Sequence, residues 1–181
     1  KLSFALRCIT DTERRSGSMM KKRLTSLALS AMMVLSMVPA TAFAAKDAGT
    51  PPTYNSATGC YEISTPAQLL YLSGKWKDGA PRDGHYVLTA DIDMSGVKGF
   101  KPIASKKAEG FTGTFDGQFH SIKGLRVEYE KKYAGLFGYV GNQNDQAYIK
   151  NVALLDCYVT GQQNVGALAG VNYGTITGCA V

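Results

Sequence analysis

The sequence predicts an all-β protein, a β-solenoid in which short strands stack on one another rung by rung. One observation is a glycine-anchored phrase that occurs twice, as AGLFGY at residues 134–139 and as GALAGV at residues 166–171. A second is glycine density, since residues 45–181 hold 19 of the 20 glycines, which favours short strands and turns over helices. Because one rung cannot bury its own apolar face, a repeated phrase predicts neighbours that stack on it.

The spacing of the two copies predicts where they differ. Leu136 and Leu168 are 32 positions apart, whereas Ile149 and Ile176 are 27 apart. The loop between the two phrases is therefore five residues longer in the first copy, and residues 141–148 hold the extra length. Strand alternation points both leucines inward, with the glycines where stacked rungs approach closely.

The repeated phrase, followed by isoleucine, a polar pair and a valine or cysteine, resembles the GLUG motif of bacterial secreted and surface proteins, named in part from immunoglobulin A metallopeptidases. Residues 61–65, 86–93 and 111–117 are similar to the region that often leads into such repeats, so the resemblance covers about residues 60–181. The second copy departs from the motif at Ala167 and Ala169. The resemblance implies a right-handed parallel β-helix-like surface module with no defined reaction.

The N-terminal part has the pattern of a secretory signal peptide. Residues 19–23 are basic, residues 24–38 form an apolar run of 15, and residues 39–44 end in Ala-x-Ala, which predicts cleavage after Ala44. The alternative, a transmembrane anchor, needs about 20 apolar residues. Residues 1–18 precede this leader and are expected to lie outside the natural product. We therefore predict a secreted or cell-surface protein with no membrane span after cleavage.

Charge after the leader does not point to nucleic acid. Residues 45–181 contain 13 Lys+Arg and 12 Asp+Glu, so the basic character of the whole chain belongs to residues 1–44. A near-neutral chain gives no indication of nucleic-acid binding.

Residues 45–181 hold three cysteines, Cys60, Cys157 and Cys179, and an odd count argues against a disulfide framework. Cys157 and Cys179 are 22 positions apart and are interpreted as equivalent places on successive rungs. Side chains stacked in parallel point the same way, which favours two small buried hydrophobes over a disulfide, although the pairing stays open.

The predicted elements follow in order. Residues 45–59 form a flexible lead-in, and residues 60–181 the repeat domain, beginning with a strand at residues 61–64. A capping box at Thr65–Gln68 with Pro66 at the first helical position predicts one short helix, which ends before Gly74 and caps the open end of the stack. The polar loop after it carries Trp76, which either packs on the cap or contacts a sugar ring.

Strand signals continue along the chain. Residues 86–93 alternate between apolar and polar side chains, which predicts one half-buried strand. Two further strands, at residues 111–115 and 120–127, are joined by a turn at Asp116 and Gly117, and Gly124 shifts the inward parity as a bulge would.

Outward carboxylates at Asp91 and Asp93 are the candidate for chemistry. They echo the opening of a calcium loop, but Pro102 stands where that loop needs glutamate, so turn capping, weak calcium binding and catalysis are all retained as interpretations. The histidines, His85 and His120, lack metal-ligand spacing. We predict no cofactor and no catalytic residue.

The loop at residues 141–148 is the candidate binding site. It is rich in amides, including Asn142 and Asn144, and is bounded by Tyr139 and Tyr148, a composition suited to hydrogen bonding and stacking on a sugar or peptide. The alternative is an ordinary surface loop.

These patterns predict an exported, non-catalytic β-solenoid that contacts host or cell-wall glycan or protein as an adhesin-like module, or serves as a spacer. The alternative is the N-terminal region of a secreted metallopeptidase or of a carbohydrate-active β-helix enzyme. Residues 178–181 stop within a repeat phrase, which predicts a C-terminally truncated fragment with further rungs downstream.

Overall fold

The computed structural model describes residues 49–74 and 80–181, and strands dominate its secondary structure, so the all-β prediction is confirmed. Its helices are α1 (Pro66–Tyr71) and a short 3-10 helix at Lys107–Glu109. In this part of the chain the strands are Thr53–Asn55 (β1), Cys60–Ile63 (β2), His85–Leu88 (β3), Ile92–Asp93 (β4), Thr114–Asp116 (β5), Ser121–Lys123 (β6), Arg126–Ala134 (β7), Phe137–Val140 (β8), Tyr148–Lys150 (β9), Ala153–Leu155 (β10), Tyr158–Val165 (β11), Ala169–Asn172 (β12) and Thr175–Thr177 (β13).

The chain returns repeatedly to the same sheets and pairs there in parallel. The largest sheet has six strands in the order β1-β2-β3-β5-β9-β13, and only the first pair is antiparallel. The other sheets have the orders β10-β6-β4, β11-β7 and β12-β8, all parallel. One passage through these sheets is called a rung below. In the largest sheet the stacked positions are Tyr61, Tyr86, Phe115, Ile149 and Ile176, at intervals of 25, 29, 34 and 27 residues.

The predicted rung length of 22 residues is wrong. Ala180 pairs with Ala153, which puts Cys179 level with Val152. Tyr158 pairs with Arg126, so Cys157 lies at a different corner of the rung, between β10 and β11. Both cysteines are free and half-buried against the core. The error arose because similar phrases were aligned on cysteine, whereas the backbone register aligns the isoleucines.

The core lies between the sheets and contains a line of aromatic rings. Tyr86 and Phe111 have ring centroids 6.1 Å apart, Phe111 and Phe137 5.1 Å, and Phe137 and Phe115 5.4 Å. All four residues are fully buried. Burial of each such side chain stabilises the fold by about 1.5–3 kcal/mol, so inward residues of successive rungs hold the stack together.

The first rung contains the predicted helix. Thr65 Oγ1 accepts a hydrogen bond of 3.3 Å from Gln68 N, and Gln68 Oε1 accepts one of 3.1 Å from Thr65 N, which completes the capping box. Leu69 and Leu72 are buried, so α1 covers the core at this rung. Within the described residues, no helix has the length and apolar character needed to cross a bilayer.

The described part of the predicted lead-in, residues 49–59, is an ordered part of the first rung. Strand β1 pairs with β2, and Asn55 Nδ2 donates to Glu62 Oε1 at 2.7 Å. Thr50 N donates to Ala67 O at 3.0 Å, which ties the segment to α1. The run of turn residues at 56–59 thus closes a hairpin, with Gly59 at φ 69°.

Corners between sheets replace two predicted features. The strand predicted at residues 86–93 breaks between β3 and β4, which belong to different sheets, although Tyr86, Leu88 and Ile92 are buried as expected. Gly124, predicted as a bulge, forms the corner between β6 and β7 at φ 66°. The residue level with it on the next rung, Asp156, has φ 51°. Glycine and aspartate tolerate this left-handed conformation, so the corners stack as the strands do.

The repeated glycine phrase reverses the chain between β7 and β8, and again between β11 and β12. Phe137 pairs with Ala169, which stacks Leu136 on Leu168, and both leucines are buried as predicted. A Cβ added to Gly138 would lie 2.8 Å from Ser105 Cα and within 2.9 Å of backbone oxygens. The phrase therefore needs glycine because backbones meet there.

We predict that Gly138→Ala lowers the free energy of unfolding by about 1–3 kcal/mol, because the added methyl group overlaps neighbouring backbone. Gly96→Ala is the matched control, since its Cβ would meet nothing within 4 Å. That change should leave stability equal or raise it by about 0.4–1 kcal/mol. Urea denaturation measures both, and equal effects would contradict the close-approach explanation.

Candidate functional site

Two neighbouring rungs carry an excursion that the rung before them lacks. Phe100 pairs with Val127 and Ile103 pairs with Phe137, so three positions in one rung correspond to ten in the next. The extra residues extend β7 as a ribbon paired with β11. The short rung below leaves a step beneath this ribbon.

A groove of about 1070 Å³ occupies the step. One side is formed by the ribbon, and the other by the turns after α1 and around Ile103. Its lining is mostly polar: Ser73, Gly74, Lys101, Ser105, Lys106, Glu128, Tyr129, Glu130, Lys131, Thr160, Gly161 and Gln162. The groove is large enough for a short chain of sugar or peptide units.

The charges in the groove are mixed. Lys106 Nζ lies 2.9 Å from Glu109 Oε1, and Arg126 Nη2 lies 2.6 Å from Glu128 Oε1. The Arg126 guanidinium also lies 4.5 Å from the ring centroid of Tyr158. These pairs are exposed and contribute little to stability, so they matter here for the electrostatic character of the groove.

Three further charged residues line the groove: Lys101, Glu130 and Lys131. They have no ion-pair partner among residues 49–74 and 80–181. Two are positive and one is negative. In the same ranges, no group of three or more His, Cys, Asp and Glu side chains is placed to hold a metal ion. The arrangement offers hydrogen bonds and a small positive excess to a bound chain.

The predicted binding residues lie in different environments, some buried and some exposed. Tyr139 is buried in β8, where it stacks on Tyr173 with ring centroids 5.6 Å apart. Burial raises the pKa of the Tyr139 hydroxyl, and a hydrogen bond with Tyr173 adds to the effect. The exposed ring at this place is Tyr173, which the sequence did not single out. Trp76 lies outside the described residues.

The loop itself has the predicted extra length, since Val140 pairs with Asn172 and Tyr148 with Thr175. Asn142 Oδ1 accepts hydrogen bonds from Asn144 N at 2.7 Å and Asp145 N at 2.8 Å. Its Nδ2 donates to Asp145 Oδ2 at 2.9 Å. The Asn142 side chain thus closes the loop, while Tyr148 is exposed and donates to Gln146.

We predict that Asn142→Ala accelerates amide hydrogen exchange at Asn144 and Asp145 about threefold to tenfold, because each loses its acceptor. Asn144→Ala is the control, since only the backbone of Asn144 takes part in the turn. Exchange measured by NMR distinguishes the two. Unchanged exchange in Asn142→Ala would show that the turn does not depend on this side chain.

The two carboxylates are both exposed, and they accept hydrogen bonds in different ways. Asp91 Oδ1 accepts from Ser121 N at 2.7 Å and from Ser121 Oγ at 3.1 Å, with His120 Nδ1 3.5 Å away. Asp93 Oδ1 accepts from Ser95 N at 2.9 Å. The Ser121 hydrogen bonds lower the pKa of Asp91, and those from Ser95 lower the pKa of Asp93. Asp93 therefore caps its own turn, as the turn-capping interpretation expects, whereas Asp91 binds Ser121 on the neighbouring rung.

We predict that Ser121→Ala raises the pKa of Asp91 toward its ordinary value, because the carboxylate loses the hydroxyl donor and keeps the backbone N–H of residue 121 and the neighbouring His120. Ser95→Ala should shift Asp93 and leave Asp91 unchanged. Because both pKa values are depressed in the folded state, any stability they contribute is present above the unfolded pKa and lost as pH falls through the folded one. Carboxyl ¹³C titration measures each shift, and an unmoved Asp91 in Ser121→Ala would refute the assignment.

The sequence did not predict the groove. The one sequence feature that could have indicated it is the long run from Val127 to Leu136, because the charged stretch at residues 128–132 has no counterpart between Phe100 and Ile103. That difference becomes visible only when the correct rungs are aligned. The groove can therefore be recognised only after the rungs have been aligned by their backbone pairing.

Comparison with curated proteins shows similarity to two of them. Halomucin of Haloquadratum walsbyi is 36% identical over 107 residues, which cover 55% of this chain and 1% of Halomucin. A protein of Evansella cellulosilytica, named as a Gly-rich membrane protein, is 33% identical over 130 residues, covering 67% of this chain and 14% of that protein. The chain thus spans a small part of these relatives. No family model and no solved structure matches it.

Proposed function

We propose that this chain belongs to an exported surface protein and forms a right-handed β-solenoid that makes non-catalytic contacts with glycan or protein. The observation that carries the proposal is the parallel register of successive rungs, in a chain similar to a short stretch of the much longer Halomucin. Repeated rungs suit a long surface protein because each needs contacts only with its neighbours.

The burial pattern supports a stack that continues. Ile149 and Val152 are buried on the fourth rung, whereas Ile176 and Cys179, level with them on the next, are only half-buried. The apolar faces of inner rungs are covered on both sides. Further rungs of the same polypeptide would cover this one in the same way.

Export is supported by the leader pattern at residues 19–44 and by the names of the two relatives. A contact role is supported by the groove, whose polar lining and open shape suit binding. The carboxylates of Asp91 and Asp93, the candidates for chemistry, accept hydrogen bonds from Ser121 and Ser95. The resemblance to GLUG repeats agrees with a surface module.

The full chain with a C-terminal epitope, expressed in a bacterial host, tests export. We expect the epitope in the medium or accessible on intact cells, with a mature N-terminus at Ala45. Leu27→Arg with Leu29→Arg is the control and should be retained inside, because charge disrupts the apolar run. Retention of the parent chain with residues 1–44 attached would overturn the export proposal, and an experimental structure with left-handed rungs would overturn the solenoid.

A further inference from the structure

We propose that the groove binds an uncharged oligosaccharide, with one sugar ring stacked on Tyr129 and the hydroxyl groups of the chain bonded to the polar lining. This inference rests on the proposed contact function and names the ligand class and the site. The mixed polar lining, the near balance of charge and the position of the Tyr129 ring carry it.

The first step is the kind of polar group that the groove offers. Hydroxyl groups come from Ser73, Ser105 and Thr160, and an amide comes from Gln162. Hydroxyl and amide groups both donate and accept hydrogen bonds, while lysine only donates and ionised glutamate only accepts. A sugar hydroxyl also donates and accepts. A sugar chain therefore matches a lining in which donors and acceptors are mixed.

The second step is charge. Three lysines and two glutamates line the groove: Lys101, Lys106, Lys131, Glu128 and Glu130. Lys106 and Glu128 are engaged in ion pairs of 2.9 Å and 2.6 Å. The remaining charges have both signs, and they are exposed, so water and salt screen them. Screened charges of mixed sign give little preference for an anion or a cation, which favours a ligand without charge.

The third step is the aromatic ring. Tyr129 packs partly against the core and also lines the groove. Its partner on the next rung is Gly161, which brings no side chain over the ring. A Cβ at Gly161 would lie 2.6 Å from Ala134 Cβ, so a larger residue does not fit there. A tyrosine held by the core presents a rigid ring with a polar tip, which suits the apolar face of a pyranose.

A peptide matches the same groove less well. Beside the Tyr129 ring, the described lining residues include no aliphatic residue and no second aromatic one. Extended peptides are recognised through apolar pockets and along a regular strand edge. The β7 edge beside the groove is irregular, since its register with β11 shifts between Gly161 and Gln163. The lining therefore favours sugar over peptide.

Isothermal titration calorimetry with the full chain tests the proposal. The probes are uncharged pentasaccharides of glucose, mannose, galactose, xylose and N-acetylglucosamine, with pentagalacturonate as the anionic counterpart. We expect at least one uncharged probe to bind more tightly than pentagalacturonate. Its affinity should change less than about twofold between low and high salt, because no ionic contact is screened.

Two neighbouring pairs of residues give matched variants. Gln162 and Lys131 line the groove, whereas Gln163 and Lys132, which pair with each other, do not. All four are exposed, so the changes should leave folding intact. We expect Gln162→Ala and Lys131→Met to weaken binding about threefold to tenfold through lost hydrogen bonds. Gln163→Ala and Lys132→Met should leave binding unchanged.

The ring has a variant of its own. Tyr129→Leu keeps an apolar side chain for the core and removes the aromatic surface, so it should weaken binding by about fivefold to tenfold. Thermal unfolding checks that this variant folds. If it does not, the two exposed pairs still decide the question.

Failure of every uncharged probe to bind at millimolar concentration would overturn the proposal, as would equal effects of the groove variants and their neighbours. Tighter binding of pentagalacturonate that is lost at high salt would show a site for anionic polymers instead. Binding of a valine–threonine decapeptide while every sugar fails would show a peptide site. The export experiment measures a different property, so the two proposals fail separately.

Discussion

The parallel backbone register between rungs is the constraint on which the rest of this structure depends. Each inner strand must satisfy hydrogen bonds with the strand before it and the strand after it, while its inward side chains fill one continuous core. The intervals between stacked residues vary from 25 to 34, yet Tyr86, Phe115 and Ile149 stay in line. Extra length is therefore confined to corners and excursions. Those are the places where the surface differs from rung to rung.

The glycine phrase connects this constraint to the groove. Gly135 and Gly138 let the chain reverse where backbones meet, so that β7 can leave the stack and β8 can rejoin it in register. The preceding rung passes directly from Phe100 to Ile103 without such an extension. This difference in length between neighbouring rungs produces the groove, and among the described residues it leaves the edge of β7 beyond Val127 without a paired strand. The surface feature thus follows from two backbone paths of different length over one core.

Local signals in the sequence were sufficient for local features. The capping box at Thr65–Gln68, the inward leucines and the longer loop before Tyr148 depend on neighbouring residues or on one spacing, and the structure has them. Rung length was mispredicted because similarity around Cys157 and Cys179 competed with the register, which only backbone pairing decides. Tyr139 was expected at the edge of a binding loop, but the rings of Tyr133 and Tyr173 pack against it and it is buried in β8. The groove required knowing which rung lies beneath which, a relation that no local pattern contains.

The order of strands in the largest sheet has a mechanical consequence. Strand β1 lies at one edge and β13 at the other, about five strand spacings, or roughly 24 Å, apart. Because the strands follow one another across this sheet in chain order, tension carried along the polypeptide pulls neighbouring rungs apart in the direction of their hydrogen bonds. Bonds loaded in this way open a few at a time. Such a stack yields by peeling one rung after another, and the released length limits the force transmitted to whatever the remaining rungs hold.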